Sequence, residues 1–384
     1  MLRISLDVKT EQPVVLARSH FSGNIVHSLD YIPGSAIRGA MVSRFIERNG
    51  KPENNWDKFK KYFCSDAVRF ENLYIADGDN FVLPIPLSSK TCKAYSGFLN
   101  DDVKAGPYHG VSDYLLEDIP ESCTRCQQAN QETPIEDIPG FYSVPPRRYD
   151  LIRRIDVRKG YSIHNEIEDE TQRTKEGVLY TLEHIAEEQE FNGSIVFADM
   201  SIRQDFYNDV IEGSGEFALY IGQARSRGMG KIRVRPAFSE SPFTPILSLL
   251  PIKERVTSFG GNCFSLTLYS DAILVDEYLR CLTSLPATYL SKALEVELTL
   301  VRTFSSYHTV SGWHAGAGLP KEDDSAITKG STFLFRYNGN DCDKLIKGLE
   351  ALEEEGIGLR RNEGFGRIVV CDPYHLEMSE LNRQ

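Results

Sequence analysis

Apolar and polar residues alternate along LRISLDV (2–8) and FSLTLYS (264–270), and each run predicts a strand with one buried face. The period changes in YIPGSAIRGAMVSRFIER (31–48). Ile37, Met41 and Phe45 fall four residues apart, which predicts a helix with one apolar stripe and Ser35 as its N-cap. Tyr31 and Ile32 are expected to pack at its entry. Leu345, Leu349 and Leu352 predict a helix over DKLIKGLEALEEE, stopped by Gly356. KIRVRP (231–236) and RIVVCD (367–372) read as strands. Residues 178–197 fit a helix or a hairpin of LYTLEHI and FNGSIVF, and the hairpin is preferred.

These elements fall into two sets, because one motif occurs twice. IGQARSRGMGKIRV (221–234) aligns without a gap on IGLRRNEGFGRIVV (357–370). Such a repeat points to a duplicated unit. Strand, insertion, helix, glycine loop and strand is the order of a split βαβ, ferredoxin-like (RRM-like) unit. The expected architecture is α+β, with two such units in tandem. The first spans 1–238, with an insertion at 84–146, and the second spans 257–375. The proline-rich stretch 236–251 marks the connection, placed at 239–256, and 376–384 is read as a tail.

Composition narrows the function. The formal charge is −12, from 43 basic and 55 acidic residues, which argues against a general nucleic-acid binder. The basic residues are clustered, however. Residues 147–159 carry Arg147, Arg148, Arg153, Arg154, Arg158 and Lys159, and 223–235 carry five basic residues and no acid. The N-terminus has no export signal and no run suits a membrane span, so a cytoplasmic protein with reduced cysteines is expected.

The glycines of the two loops, Gly222, Gly228 and Gly230, then Gly358, Gly364 and Gly366, allow close approach of a ligand to the main chain. Arg225, Arg227 and Lys231 flank the first loop, and Arg360, Arg361 and Arg367 the second, which suits phosphate. Met229 and Phe365 could stack on a base or pack in the core. The first loop is the expected principal grip, because Glu363 stands where Arg227 does in the other copy. A separate constellation points to metal. Cys123 and Cys126 have the spacing of two thiolates on one zinc ion, with Cys92 and His109 as partners and Cys64 as an alternate. Four protein ligands would make the zinc structural. Cys263, Cys281, Cys342 and Cys371 are read as buried or half-buried thiols.

Together these features resemble the CRISPR-associated RAMP superfamily, in which ferredoxin-like units carry a glycine-rich loop before the last strand. Residues 33–40, from Pro33 to Ala40, resemble its helix-start motif. A narrower resemblance is to the type III-D RAMP subunit that caps the 5′ end of the CRISPR RNA. It rests on PLSSKTCKAYSGF (86–98), HGVSDYLL (109–116), CTRC (123–126), the region 164–191, and VSGWHAGAGLPKEDDSAITKGSTFLF (310–335). The resemblance implies a non-catalytic subunit that holds the 5′ tag of the guide and contacts the large polymerase-like subunit and backbone RAMP subunits. Arg38, His164, the 147–159 stripe and both loops would then face RNA.

Two catalytic alternatives remain. A metal-independent endoribonuclease that processes precursor RNA would need a base and an acid, and His27, His164, Tyr161 and Lys159 are candidates. A target-cleaving backbone subunit would need an acid upstream of the Pro-Gly-Ser motif. SGNIVHS (22–28) has none, and Asp30 abuts the motif.

Overall fold

The computed structural model describes residues 2–18, 24–101, 108–146, 148–167, 174–213, 215–239, 250–260, 262–314, 319–339 and 341–381. Two antiparallel sheets organise it. The first contains β1 (Leu2–Thr10), β2 (Val68–Phe70), β3 (Glu190–Phe197), β4 (Phe217–Tyr220) and β5 (Lys231–Ser239), in the order β4-β5-β1-β3-β2. The second contains β6 (Cys263–Leu268), β7 (Leu298–Phe304), β8 (Thr332–Tyr337) and β9 (Ile368–Val370), in the order β7-β8-β6-β9. With the edge strand β4 set aside, both read second, third, first, fourth. One strand plan occurs twice.

The period-two pattern of β1 places Ile4, Leu6 and Val8 in the first core, each about 1 % exposed. Helices α1 (Gly34–Asn49) and α2 (Met200–Phe206) contribute Ile37, Met41, Phe45, Ile202 and Phe206 to the same core. Helices α3 (Ala287–Leu294) and α4 (Cys342–Glu355) cover the second sheet with Leu290, Leu294, Leu345 and Leu349. Gly356 ends α4 at φ +77°, the left-handed region that glycine adopts freely.

Several local expectations are corrected. The cap of α1 is Pro33, and Ser35 lies inside the first turn; the Gly34 N–H donates to Asn72 Oδ1 at 2.9 Å instead. Residues 174–185 and 190–197 are both strands but do not pair with each other. The first pairs with Lys159–Ile167 and with Ile25–Val26, the second with β1 and β2. The stretch 376–384, read as a tail, is in part helical: Pro373–Leu381 forms a helix with Tyr374, His375 and Met378 buried. Ile252–Ser258, which begins in the expected connection and runs into the second unit, is a helix whose Ile252 and Val256 join the second core.

Residues 84–146 hold a small sheet of Ser89–Cys92, Val111–Asp113 and Ile135–Asp137. This insertion packs against the second sheet. Val111 and Tyr142 share one apolar cluster with Tyr269, Val369 and Tyr374. Asp113 accepts from His375 Nδ1 at 3.0 Å, with both side chains fully buried. Arg302, on β7, reaches the Tyr114 carbonyl at 3.0 Å and Asp118 at 2.6 Å.

Candidate nucleic-acid interface and metal centre

The repeated motif is one backbone built twice. Gly222 and Gly358 have φ +75° and +77°, Ala224 and Arg360 +55° and +57°, Gly228 and Gly364 +78° and +95°, and Gly230 and Gly366 +89° and +75°. A short turn follows the left-handed residue in each copy, Arg225–Arg227 and Arg361–Glu363. The Ile221 N–H donates to the Gly230 carbonyl at 2.9 Å, and the Ile357 N–H to the Gly366 carbonyl at 2.8 Å. A Cβ on Gly222 would lie 2.2 Å from the Val15 oxygen, and one on Gly358 2.3 Å from the Ile273 oxygen. These glycines are required by the packing of the loop, before any ligand is considered.

The surroundings of the copies differ. In the first, Met229 is buried with Val15, Val26 and Leu182, so it anchors the loop. Arg225 and Arg227 are exposed. The Arg227 guanidinium donates to the Tyr180 hydroxyl at 2.7 Å, and the Tyr180 ring stacks on His164 at 5.5 Å between centroids. No acid is recorded against either arginine among the described residues. Lys231 is paired with Glu11 at 2.9 Å, and Arg233 with the same carboxylate. The bonds from Lys231 and Arg233 hold the Glu11 carboxyl below its usual range.

The second loop is pressed against the first unit. Glu363 is buried and accepts from Arg38 at 3.2 Å, Arg360 at 2.6 Å and Lys321 at 2.6 Å. Arg360 also meets Asp324 at 2.9 Å, and its guanidinium lies 4.9 Å from the Phe365 ring centroid. Arg361 pairs with Asp66 at 2.7 Å. Arg367 lies 3.6 Å from Glu71, which also holds Arg3 at 2.8 Å. Arg38 further donates to the Phe63 carbonyl through Nε at 2.8 Å. The cations of this loop, and Arg38, are engaged within the protein.

The basic stripe is also locally balanced. Arg148 pairs with Asp150, Arg153 with Asp77 and Arg154 with Asp156, while Arg158 donates to the carbonyl of Glu188. Arg147 lies outside the described residues. Lys159 reaches Glu183 Oε1 at 3.0 Å and the Ser28 carbonyl at 2.9 Å. The other Glu183 oxygen accepts from His27 Nδ1 at 2.8 Å. Burial would raise the Glu183 carboxyl, but the bonds from Lys159 and His27 outweigh it and hold it below the usual range. The four candidate acid–base residues gather on the strands Lys159–Ile167, Thr174–Ile185 and the segment after Ile25–Val26, but on two faces: His27 and Lys159 share Glu183, and Tyr161 pairs with it across the strands. His164, on the same strand, pairs with Tyr180 and lies on the face toward the first loop.

The metal expectation meets a formed cluster. Ligand atoms of Cys92, His109, Cys123 and Cys126 all lie within 4.8 Å of one another and could hold a metal ion. Cys92 and Cys126 Sγ are 3.7 Å apart, and His109 Nδ1 stands 3.3 Å from Cys123 Sγ and 3.4 Å from Cys126 Sγ. Cys92 ends a strand, whereas Cys123 and Cys126 bracket the start of the short helix Thr124–Gln128. The Tyr95 ring stacks on His109 at 4.3 Å and fixes its plane. Burial pushes the Cys92 thiol up to about 11, while the Thr133 side chain leads in lowering Cys126. Burial lowers His109, favouring the neutral imidazole that ligates metal. Cys64 is exposed at the end of helix Trp56–Phe63 and is not in the cluster. Cys281 and Cys342 are also exposed, contrary to expectation, whereas Cys371 is buried.

Sequence reasoning missed Glu183, Glu11 and Tyr180. Each acts through a partner distant in sequence, and only a turn-like glycine pattern hinted at the folding that brings them together. No helix among the described residues is long and apolar enough to cross a membrane.

No curated protein sequence matches the chain. Among solved structures, a chain of a type III-B Cmr-beta complex bound to cognate target RNA and AMPPnP is 13% identical, with a TM-score of 0.46 over 91% of this chain and 89% of that one. A chain of the Csm3–Csm4 subcomplex of a type III-A CRISPR-Cas interference complex is 12% identical, with a TM-score of 0.37 over 89% and 96%. Thermus thermophilus Cas6 is 11% identical, with a TM-score of 0.30 over 47% and 74%. The family model described as the RAMP superfamily matches residues 20–233, more than half of the 384, and the chain belongs to that superfamily.

Proposed function

We propose that this chain is a non-catalytic, cytoplasmic RNA-holding subunit of a type III, III-D-like CRISPR effector complex. It grips the 5′ tag of the guide and docks the large subunit and backbone RAMP subunits. Its two repeated strand plans are read as tandem ferredoxin-like (RRM-like) units. The observation that carries the reading is the first glycine loop. A rigid, duplicated backbone presents Arg225 and Arg227 to solvent beside the Tyr180–His164 stack, while the matching cations of the second loop are neutralised. Exposed guanidinium groups without an acidic partner among the described residues, beside a half-buried ring pair, suit phosphates and unstacked bases.

The Cys/His cluster is read as a structural zinc site. Tetrahedral zinc–thiolate bonds of about 2.3 Å place sulfur atoms roughly 3.8 Å apart. The Cys92–Cys126 separation of 3.7 Å agrees. Four protein ligands leave no open position, so the ion would order the 84–146 insertion and take no part in chemistry.

The test is to purify the full chain with its native nucleic acid and sequence what it carries. Small RNAs with a uniform 5′ segment are expected. Arg225→Glu with Arg227→Glu should remove most of that RNA, and an unchanged RNA content in the double variant counts against the reading.

A further inference from the structure

The ribbon formed by Lys159–Ile167, Thr174–Ile185 and Ile25–Val26 has an outer face that the first glycine loop does not use. Its register pairs Tyr161 with Glu183, and Ile163 with Thr181, which in turn pairs with Ile25. Paired residues share a face. Tyr161 and Ile163 are 65 % and 72 % exposed, and Ile25 borders them at 39 %. His27 follows directly after the paired strand and closes the row through its bond to Glu183.

The chemistry of that bond fixes what His27 can recognise. Glu183 is buried and receives Lys159, the Ser28 N–H and His27, so its carboxylate only accepts. His27 Nδ1 must then carry the hydrogen, and in the neutral ring Nε2 is left as an acceptor. Nε2 has no recorded partner among the described residues, and the side chain is 45 % exposed. An acceptor there turns away phosphate oxygens and selects a hydroxyl or amine donor. Arg18, whose backbone N–H donates to the His27 carbonyl at 2.9 Å, lies on the neighbouring segment, and its half-exposed guanidinium stands 4.0 Å from Asp30. A ring acceptor with an exposed tyrosine and two isoleucines alongside matches the sugar and base of a ribonucleotide: a donor hydroxyl and the apolar faces around it.

We propose that His27, oriented by Glu183, reads the 2′-hydroxyl of a bound ribonucleotide and makes this surface select RNA over DNA. This rests on the RNA-holding reading above. In it, Glu183 is a positioning residue and Lys159 keeps Glu183 ionised.

The test measures binding of the full chain to a fluorescein-labelled oligouridylate and to the oligodeoxyuridylate of equal length. Base donors are the same in both probes, so their difference isolates the 2′-hydroxyl. The wild type should favour the ribo-oligomer by roughly five- to tenfold. His27→Ala should lose that preference by weakening ribo-oligomer binding alone. Glu183→Gln should do the same, because a side-chain amide can donate to Nδ1 and shift the ring hydrogen to Nε2. A change that merely loosened the fold would weaken both probes together, and that result overturns the proposal. Equal binding of both probes by the wild type overturns it too while leaving the RNA-holding reading in place. Binding of neither probe overturns that reading as well.

Discussion

Glu363 joins the two units, and replacing it tests whether the second glycine loop serves as that joint. Its carboxylate is 8 % exposed and faces Arg38 on α1, Arg360 beside it and Lys321 of the second unit. Glu363→Gln removes one negative charge from among three cations that are only 19–25 % exposed. Removing one partner of a buried ion pair costs about 3–5 kcal/mol. The partial exposure of the cations argues for the lower end, about 3 kcal/mol. Burial would raise the Glu363 carboxyl, yet Arg360 and Lys321 hold it below the usual carboxyl range. A lowered folded value means the contribution is fully present above the unfolded value and fades as pH falls through the folded one. The difference between wild type and Glu363→Gln in urea unfolding should therefore be full at neutral pH and shrink below about pH 4. A second substitution, Arg38→Ala, should restore part of the loss, with a coupling energy of about 1–2 kcal/mol. A neutral-pH loss under 1 kcal/mol, or strict additivity of the two changes, would refute the joint.

Two further outcomes follow from the same geometry. Gly228→Ala meets open space and should cost only the left-handed penalty of about 1–2 kcal/mol, whereas Gly222→Ala drives a Cβ to 2.2 Å from the Val15 oxygen. Unfolding curves should separate them by about 2 kcal/mol or more, and equal losses would contradict the close approach. Metal removal should act on the insertion: freshly purified protein should carry close to one equivalent of zinc, and chelation or Cys123→Ser should expose residues 84–146 to protease. Less than half an equivalent, or unchanged cleavage, counts against the site.

Much of this was legible in the sequence. Periodicity in LRISLDV and in Ile37, Met41 and Phe45 reports local burial, and burial is what the core rewards. The Cys-x-x-Cys spacing is local as well, so two of the four clustered residues were evident and the others followed from their company. Partners set by long-range pairing were not legible. The stripe at 147–159 looks basic in sequence, yet Asp77 neutralises Arg153 from far upstream, and Glu183 holds both His27 and Lys159. The strands at 174–185 and 190–197 look like a hairpin because neighbours usually pair. Here the chain between them turns from one sheet to another, and the Val14–Ile185 bridge fixes that exit. The helix Pro373–Leu381 hides its role for a similar reason: His375 gains its purpose only from Asp113, which lies in the insertion.

The two glycine loops show how one backbone takes two roles. Four left-handed positions and a shared Ile-to-Gly bond define both loops, so the main chain alone cannot distinguish them. The distinction comes from one position. At 227 the side chain is a cation in solvent, and among the described residues it meets a tyrosine hydroxyl. At 363 it is a buried acid, and three cations converge on it. An arginine at 363 would add a fourth positive charge in a buried place, so a joint there requires an acid. On the RNA-holding reading, a glutamate at 227 would instead place an anion beside the proposed phosphate path. The charge at this position thus fixes which copy holds the units together, and it leaves the arginines of the first loop exposed, which is what the proposed RNA grip requires.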